Sequence, residues 1–344
     1  MRNEVNEVVS VSILNYFRAR KSEISQQIGI LLALILFVGT FAAISPAFRS
    51  FTNIRNVSVN ISFVWIIAFV FNLLMISGGV DLSVGSVMGF AACTMGAAIV
   101  QYNLPSYIGI IVGLISAILI GVVNGILITK LKLPPLLVTL GMLMLVRGLC
   151  YLVTKNFTIQ LTEQFAGKII VWLGNGRIFG IPLPIFVAFF VFILCFVIQS
   201  FTAMGRNVYA MGGNEMTARL AGIRVDRTQI TLYILTAFCA GISGILLAGL
   251  LQSAQPIIGT GMEFRAITAI LIGGTSLFGG RGNIIGTVLG AILVGVIFNI
   301  IVIFGFPFFA TSVIEGSIII LAVLLDTQLQ KRFTRMTKRA RQAA

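Results

Sequence analysis

The chain has 344 residues, 58% of them hydrophobic and 10% charged, with a formal net charge of +14 and a mean hydropathy of +1.05. A soluble globular chain is about 25% charged, so these numbers exclude a soluble enzyme or binding module and point to a polytopic membrane protein. The chain has no His, which removes His-based catalysis, proton relays and metal ligation; the basic excess reads as loop charge that orients helices, not as a nucleic-acid footprint.

Spans of about 20 residues nearly consume the length, so one transmembrane domain over 1–344 is expected, an all-α bundle. About ten spans are expected, at 26–45, 58–77, 83–101, 106–129, 134–154, 181–201, 228–252, 263–279, 284–304 and 309–326. The first follows some polar residues without a small-residue cleavage site and reads as a retained span, not a leader. Between the second and third lies "ISGGVDLSVGS", Ile76 to Ser86, which puts Asp81 into an apolar region. A charge at membrane depth costs roughly 2.5–3.5 kcal/mol on insertion scales. Gly78 and Gly79 can end the second span in the left-handed conformation. Asp81 is then expected to cap the third, accepting from the amide of Ser83 or Val84.

The fourth span carries Gly109, Gly113, Ala117, Gly121 and Gly125 on one face, a stripe that lets another helix approach closely. Ala240, Gly244 and Ala248 repeat it in the seventh, Gly286 and Gly290 in the ninth. Cys93, Cys150, Cys195 and Cys239 all lie in apolar runs without metal or redox spacing and read as small buried residues. "GGTSLFGG", Gly273 to Gly280, echoes "GGVDLSVG", Gly78 to Gly85, with Ser276 at the position of Asp81 and able to cap in the same way. Asn124 and Asn299 form a second echo, which makes an internal repeat a candidate. Glycine-interrupted segments in both halves point to a transport pathway.

With both termini cytoplasmic, the inner segments hold Arg2, Arg18, Arg20, Lys21, Lys130, Lys132, Arg206, Arg219, Arg224, Arg227, Arg281 and the basic run from Lys331 to Arg341. The outer segments hold only Arg49, Arg55, Lys155, Lys168 and Arg177. This asymmetry favours that orientation. Residues 155–180 form a long outer connection with Trp172 as an interfacial anchor. Residues 202–227 form a long cytoplasmic one with a short helix over Asn214 to Leu220, the kind of element a protein offers to a cytoplasmic motor. The tail 327–344 is basic and suits water or anionic headgroups.

No phosphate loop, dinucleotide turn, nucleophile constellation or metal cluster is legible, so no cofactor is expected and a membrane enzyme is disfavoured. The ions in or near the membrane are Asp81, Arg147, Glu263, Arg265 and Glu315. Asp81 and Glu315 could serve an ion-coupled carrier; Arg147 could instead neutralise one of them. Glu263 and Arg265 are expected at the outer start of the eighth span, within reach of water.

Four stretches in order, "SGGVDLSVGS" (77–86), "NGILITKLKLPPLLVTLG" (124–141) followed by "RGLCYLVT" (147–154), "GRNVYAMGGNEMTARLAGI" (205–223) and "IGGTSLFGGRGNIIGTVLGA" (272–291), resemble the permease subunits of bacterial ABC importers for ribose-, galactose- and xylose-type sugars. The resemblance covers roughly 55–326. It implies a transport subunit of the inner membrane that is not itself an enzyme. It also implies a second permease copy or a sister permease, a cytoplasmic ATP-binding subunit, often with tandem cassettes, and an extracytoplasmic solute-binding protein, with no nucleic-acid partner. The coupling role would fall on Gly205, Arg206, Tyr209, Gly212, Gly213, Asn214, Arg219 and Gly222. With the pathway at the glycine breaks, Ser77, Asp81, Ser83, Ser276 and Asn299 are its polar candidates. The chain departs from the family at Arg265, where an acid is usual, at Ile300, where Gly is usual, and in lacking a Gln before Gly316.

Overall fold

In the computed structural model, the described residues are 27–307 together with 311, 313–321, 323, 324, 327 and 328. The expected N-terminal stretch 1–26 and the basic tail from 329 lie outside them. The helices α1 (27–44), α2 (Phe51–Ile76), α3 (Val84–Gly96), α4 (Ser106–Thr129), α5 (Pro135–Thr154), α7 (Leu183–Phe201), α10 (Val225–Leu251) and α12 (Ile284–Ile303) are long and apolar enough to cross a membrane, α3 being extended by a π-helical turn over Ala97–Gln101. These are the expected spans one to seven and nine, within a few residues, except that α2 begins seven residues earlier. Ser50 draws it back: its hydroxyl accepts from the Asn53 amide at 3.2 Å and caps the helix.

Short elements fill the connections: α6 (Glu163–Asn175), α8 (Ala203–Gly213), α9 (Glu215–Leu220) and α11 (Met262–Ile272), with two-residue strands β1 (Ile159–Gln160), β2 (Arg177–Ile178), β3 (Ile181–Pro182) and β4 (Ser253–Ala254). β1 pairs antiparallel with β4, and β2 with β3. Through α8 and α9 the chain makes an elbow, and the end of the bundle that carries it is called the elbow end below.

Burial sorts the helices. Within their apolar windows α2 is 89% buried and α1 only 6%, so α2 is the central post and α1 lies at the rim against α12. From Ile61 to Ile76 α2 is buried on nearly every side and apolar except at Ser62 and Asn72, as an enclosed helix requires. Around it α10 packs on α4, α3 and α2. The small-residue stripes make those contacts: a side chain at Gly113 would strike the Ala91 carbonyl, at Gly121 the Tyr233 carbonyl, and at Gly244 the Met88 carbonyl. Lipid offers no hydrophobic driving force between helices, so such close approach supplies the dispersion contacts instead. Interhelical hydrogen bonds add to it, Ser243 to the Phe63 carbonyl at 3.0 Å and Ser86 to the Leu143 carbonyl at 2.7 Å. The four cysteines are buried and free, as expected.

The expected eighth span differs. Its helix, α11, has 11 residues and is about 16 Å long, half of a hydrocarbon core of about 30 Å. The other half is a run of turns, closed by the amides of Ile258, Thr260 and Met262 on the carbonyls of Gln255, Ile257 and Gly259. From β4 at the far end, residues 255–261 descend until Gly259 packs on Gly85 and Met88, in the first turns of α3. Hydropathy cannot tell an apolar helix from the glycine-rich turn that follows it, so the sequence reads α11 and residues 273–279 as one span and leaves out the descent before it. The expected tenth span is helical over its described part, 313–321, and lies partly outside the described residues.

Candidate functional site: an elbow seated on two helix breaks

α2 and α11 end alike. Ser77 closes α2 and Gly78 takes φ +89°; Gly273 closes α11 and Gly274 takes φ +96°. In both, the next amide reaches back five residues, Gly79 to the Leu74 carbonyl at 2.9 Å and Thr275 to the Ile270 carbonyl at 3.2 Å, a Schellman-type stop. The left-handed residue is the first glycine of one pair and the second of the other. Each loop then turns back into an outgoing helix, α3 and α12.

Asp81 makes the expected bond to Ser83 but is not the cap of α3: the helix begins at Val84, with Ser83 in the N-cap position and no side-chain cap bond. The Asp81 Oδ1 accepts from the Ser83 amide at 2.8 Å and the Ser83 hydroxyl at 2.6 Å, and Asn124 donates to that hydroxyl oxygen at 2.9 Å. Tyr233 donates to the Val80 carbonyl at 3.1 Å. Asp81, Ser83 and Asn124 are completely enclosed, and Asp81 Oδ2 has no hydrogen-bond partner. Ser276 repeats the local bond, accepting from the Phe278 amide at 3.3 Å, but it caps no helix: α12 starts eight residues later and is capped by Asn283, which accepts from Ile285 at 2.9 Å. Asn299 does not repeat the place of Asn124 beside a helix break; it exchanges amide hydrogen bonds of 3.0 and 2.8 Å with Asn53 at the opposite end of the bundle.

The elbow is built by two caps. Thr202 accepts from the Gly205 amide at 3.3 Å and starts α8; Asn214 accepts from the Thr217 amide at 2.9 Å and starts α9. The expected helix over 214–220 is therefore present. Gly205 sits under the Ile198 and Gln199 carbonyls, where a side chain has no room. Gly212 is tighter still, wedged between the Ile76 carbonyl and the backbone of Gly280, while Gly213 has open space around it. The Gly280 amide itself donates to the Ile76 carbonyl at 2.8 Å. Both helix breaks and the elbow thus meet at one point. Tyr209 adds a second tie, donating to the Gly282 carbonyl at 2.6 Å while Gln199 donates to its hydroxyl at 2.6 Å. The Gln199 carbonyl oxygen accepts from Ile284, the first amide of α12, at 3.1 Å. Gln199 was not read from the sequence; its only signal is a lone amide in the last turn of an otherwise apolar span.

The outer face of α9 is open. Arg206 is exposed on α8, and Met216 and Leu220, four residues apart on α9, are 67% and 83% exposed. Arg219 bonds Asp226 at 2.6 Å and Glu215 at 2.8 Å, and Asp226 also meets Lys130 at 3.2 Å. Asp226 and then Glu215 hold the Arg219 guanidinium above its ordinary range. This network staples α9 to the start of α10 and to the α4–α5 turn. Gly222, left-handed at φ +83°, makes the turn that follows α9.

Between the elbow and the core opens a cavity of about 1080 Å³, lined among others by Ser77, Gly78, Gly212, Gly213, Asn214, Arg219, Gln229 and Phe278. Of the polar pathway candidates, only Ser77 lines it; Asp81 and Ser83 lie behind the Gly78 turn. The remaining intramembrane ions fall otherwise than expected. Arg147 meets neither Asp81 nor Glu315: its guanidinium holds the carbonyls of Pro256 and of Ile258, the latter at 2.8 Å, in the descending chain. Glu263 does not reach water. It is 5% exposed, with Oε1 on the Gly261 amide at 3.3 Å and Oε2 unpartnered, because the chain before α11 dives inward and carries the helix start to depth. Glu315 is committed to Arg265 at 2.9 Å, and that guanidinium lies 4.3 Å from the centre of the Phe298 ring. The base at 265 is therefore matched by an acid from the last helix.

A multi-pass bundle with interrupted helices, a chamber behind them and a small amphipathic elbow pressed on both breaks is the architecture of a transporter permease. The profile of the family described as branched-chain amino acid transport system, permease component, matches residues 53–323, and the chain belongs to that family of ABC transporter permeases. Among curated relatives it is 33% identical to the ribose import permease RbsC of Escherichia coli K12 over 300 residues, 87% of this chain and 93% of the relative. It is 34% identical to RbsC of Bacillus subtilis over 304 residues (88% and 93%) and 34% identical to the L-arabinose permease AraH of Escherichia coli K12 over 307 residues (89% and 92%). No solved structure matches it. The protein is thus a multi-pass membrane permease subunit of the ABC transporter type, similar over most of its length to sugar import permeases.

Proposed function

We propose that the chain forms half of the translocation pathway of an ATP-driven importer for a monosaccharide or a similar small polyhydroxylated solute. It pairs with a second copy or a sister permease. The elbow end, with both termini, faces the cytoplasm, where α9 seats in an ATP-binding subunit; an extracytoplasmic solute-binding protein delivers solute at the far end. The observation that carries this reading is the contact of Gly212 with Ile76 and Gly280. A displacement of α9 reaches α8, and α8 bears on the ends of both broken helices at once, so energy released in a partner can open or close the chamber from one lever. Selectivity resides largely in the binding protein, and the solute passes weakly held.

An ion-coupled carrier using Asp81 and Glu315 is the rival. Asp81 is shut behind the Gly78 turn and Glu315 is neutralised by Arg265, so neither carboxylate stands where a coupling ion enters from water. The decisive experiment is reconstitution in liposomes. The permease by itself, under a proton or sodium gradient, moves no sugar, while the complete complex with ATP and binding protein concentrates it. Uptake by the lone permease driven by an ion gradient sinks the proposal.

A further inference from the structure

The far end of the fold carries a feature that the coupling mechanism leaves unused. β2 and β3 form a hairpin between α6 and α7, with Ile178 opposite Ile181 and a two-residue loop of Phe179 and Gly180 at φ +51° and +80°. Such a loop needs positive φ at both positions and is normally built from Asn-Gly or Asp-Gly. A bulky aromatic residue held there is strained. Phe179 nonetheless occupies it, and its side chain is 96% exposed. Neither backbone preference nor packing accounts for the ring.

Beside the hairpin, Arg55, Asn56 and Asn60 of α2 and Asn175 and Arg177 line a cavity of about 240 Å³. Among the described residues neither arginine has a carboxylate at ion-pair distance. In the proposed orientation this end bears Arg49, Arg55, Lys155, Lys168 and Arg177 against a single acid, Glu163. Basic residues favour the opposite side of the membrane, so two of them converging here on one socket need a reason of their own. Guanidinium forks recognise carboxylates in two-pronged fashion, and rigid exposed aromatics with Arg are the residue types that dominate binding energy at protein interfaces.

We infer that Phe179 and the Arg55–Arg177 socket together form the docking surface for the extracytoplasmic solute-binding protein, which presents an apolar pocket to the ring and a carboxylate to the socket. This rests on the importer reading above. A bilayer anchor is the weaker explanation, because an aromatic on any flanking residue reaches the headgroups without a strained backbone.

The test uses the complete permease–ATPase complex in nanodiscs, titrated with the purified solute-binding protein of the same transporter at low and physiological salt, reading both direct binding and stimulation of ATP hydrolysis. Phe179→Gly is the informative variant, since glycine suits the left-handed position and the fold is kept or stabilised. It should weaken binding about tenfold or more with no fall in thermal stability. Arg177→Glu should weaken it about tenfold and flatten the salt dependence, and Arg177→Lys should recover part of the loss. Wild-type affinity in both Phe179→Gly and Arg177→Glu overturns the docking surface alone. No response of the wild-type complex to the binding protein overturns the importer reading and this inference with it. Quenching of a Phe179→Trp variant by spin-labelled lipid, unchanged on adding the binding protein, assigns the ring to the bilayer and likewise overturns the proposal.

Discussion

The two helix breaks start from the same local chemistry and end in different structures. The break after α2 closes in seven residues around Asp81, whose bonds to Ser83, and through it to Asn124, pin it to α4. The break after α11 is eleven residues long, has left-handed glycines at 274, 279, 280 and 282, and carries no acid. Its internal bonds are turn bonds, from the Ser276 amide to the Arg281 carbonyl and from the Gly279 amide to the Ser276 carbonyl, and Tyr209, Gln199 and the Ile76 carbonyl tie it from outside. A buried polar knot holds one turn; turn bonds and neighbours hold the other. The elbow touches both at Gly212, beside the Ile76 carbonyl and the Gly280 backbone, so one short helix abuts a turn braced by a buried acid and a turn without one.

Substitutions can break that contrast, beginning with the largest effect. Gly212→Val should abolish ATP-driven uptake by the reconstituted complex, because its side chain would displace the Ile76 carbonyl and the Gly280 backbone together. Gly213→Ala, with open space around it, should retain uptake within about twofold, a fold-change far below the loss expected for overpacking. Equal effects at the two positions would remove Gly212 as the lever's seat.

Next comes the pair that ties α11 to the last helix. Arg265→Glu sets two carboxylates against each other at a half-buried place and should destabilise by about 1–3 kcal/mol, between the cost at an exposed pair and at a buried one. Adding Glu315→Arg should restore most of that in thermal unfolding. A double variant no better than the single one would show that the 2.9 Å contact carries little coupling.

The braced turn is tested by Asp81. Asp81→Ala leaves the Ser83 amide and hydroxyl without their acceptor and should cost about 2–4 kcal/mol, whereas Asp81→Asn keeps an acceptor and should cost less. For the permease, sugar uptake by Asp81→Asn stays within a few-fold of wild type; complete loss of uptake from a folded Asp81→Asn would favour the carrier instead.

The smallest effects belong to the turn held from outside and to the exposed staple. Tyr209→Phe removes the tie to Gly282 and should cost about 1 kcal/mol, with uptake reduced more than stability. Arg219→Ala breaks ion pairs that are largely exposed and should change stability by at most about 1 kcal/mol. Its effect should appear in coupling, as ATP hydrolysis with less transport per ATP.

Much of this was legible in one dimension, and particular residues show where legibility stopped. The stripe from Gly109 to Gly125 faces its neighbours as its four-residue spacing demanded, and the Asn214 cap starts α9 where the sequence placed a helix. Asp81 accepts from Ser83 as its place after two glycines suggested. Glu263 and Arg147 were misplaced together. Both errors follow from the apolar stretch 263–279, read as a span although only its first part is helix and the chain entering it descends unwound. The partnership of Arg265 with Glu315 joins residues 50 positions apart, and that of Gln199 with Ile284 spans 85; no local pattern announces either.

What the sequence by itself determined is the menu of membrane-crossing helices, several of their caps and stops, and their small-residue faces. Lipid imposes those demands residue by residue: about 20 apolar positions per crossing and every backbone group satisfied within its own helix. Tertiary structure alone decided where that demand could be relaxed. Unwound backbone at 255–261 persists at depth because Arg147 arrives from α5 to meet its carbonyls, and the local bond of Asp81 to Ser83 is braced by Asn124 from α4; a polar group's cost in the membrane depends on who meets it there, which spacing along the chain does not encode.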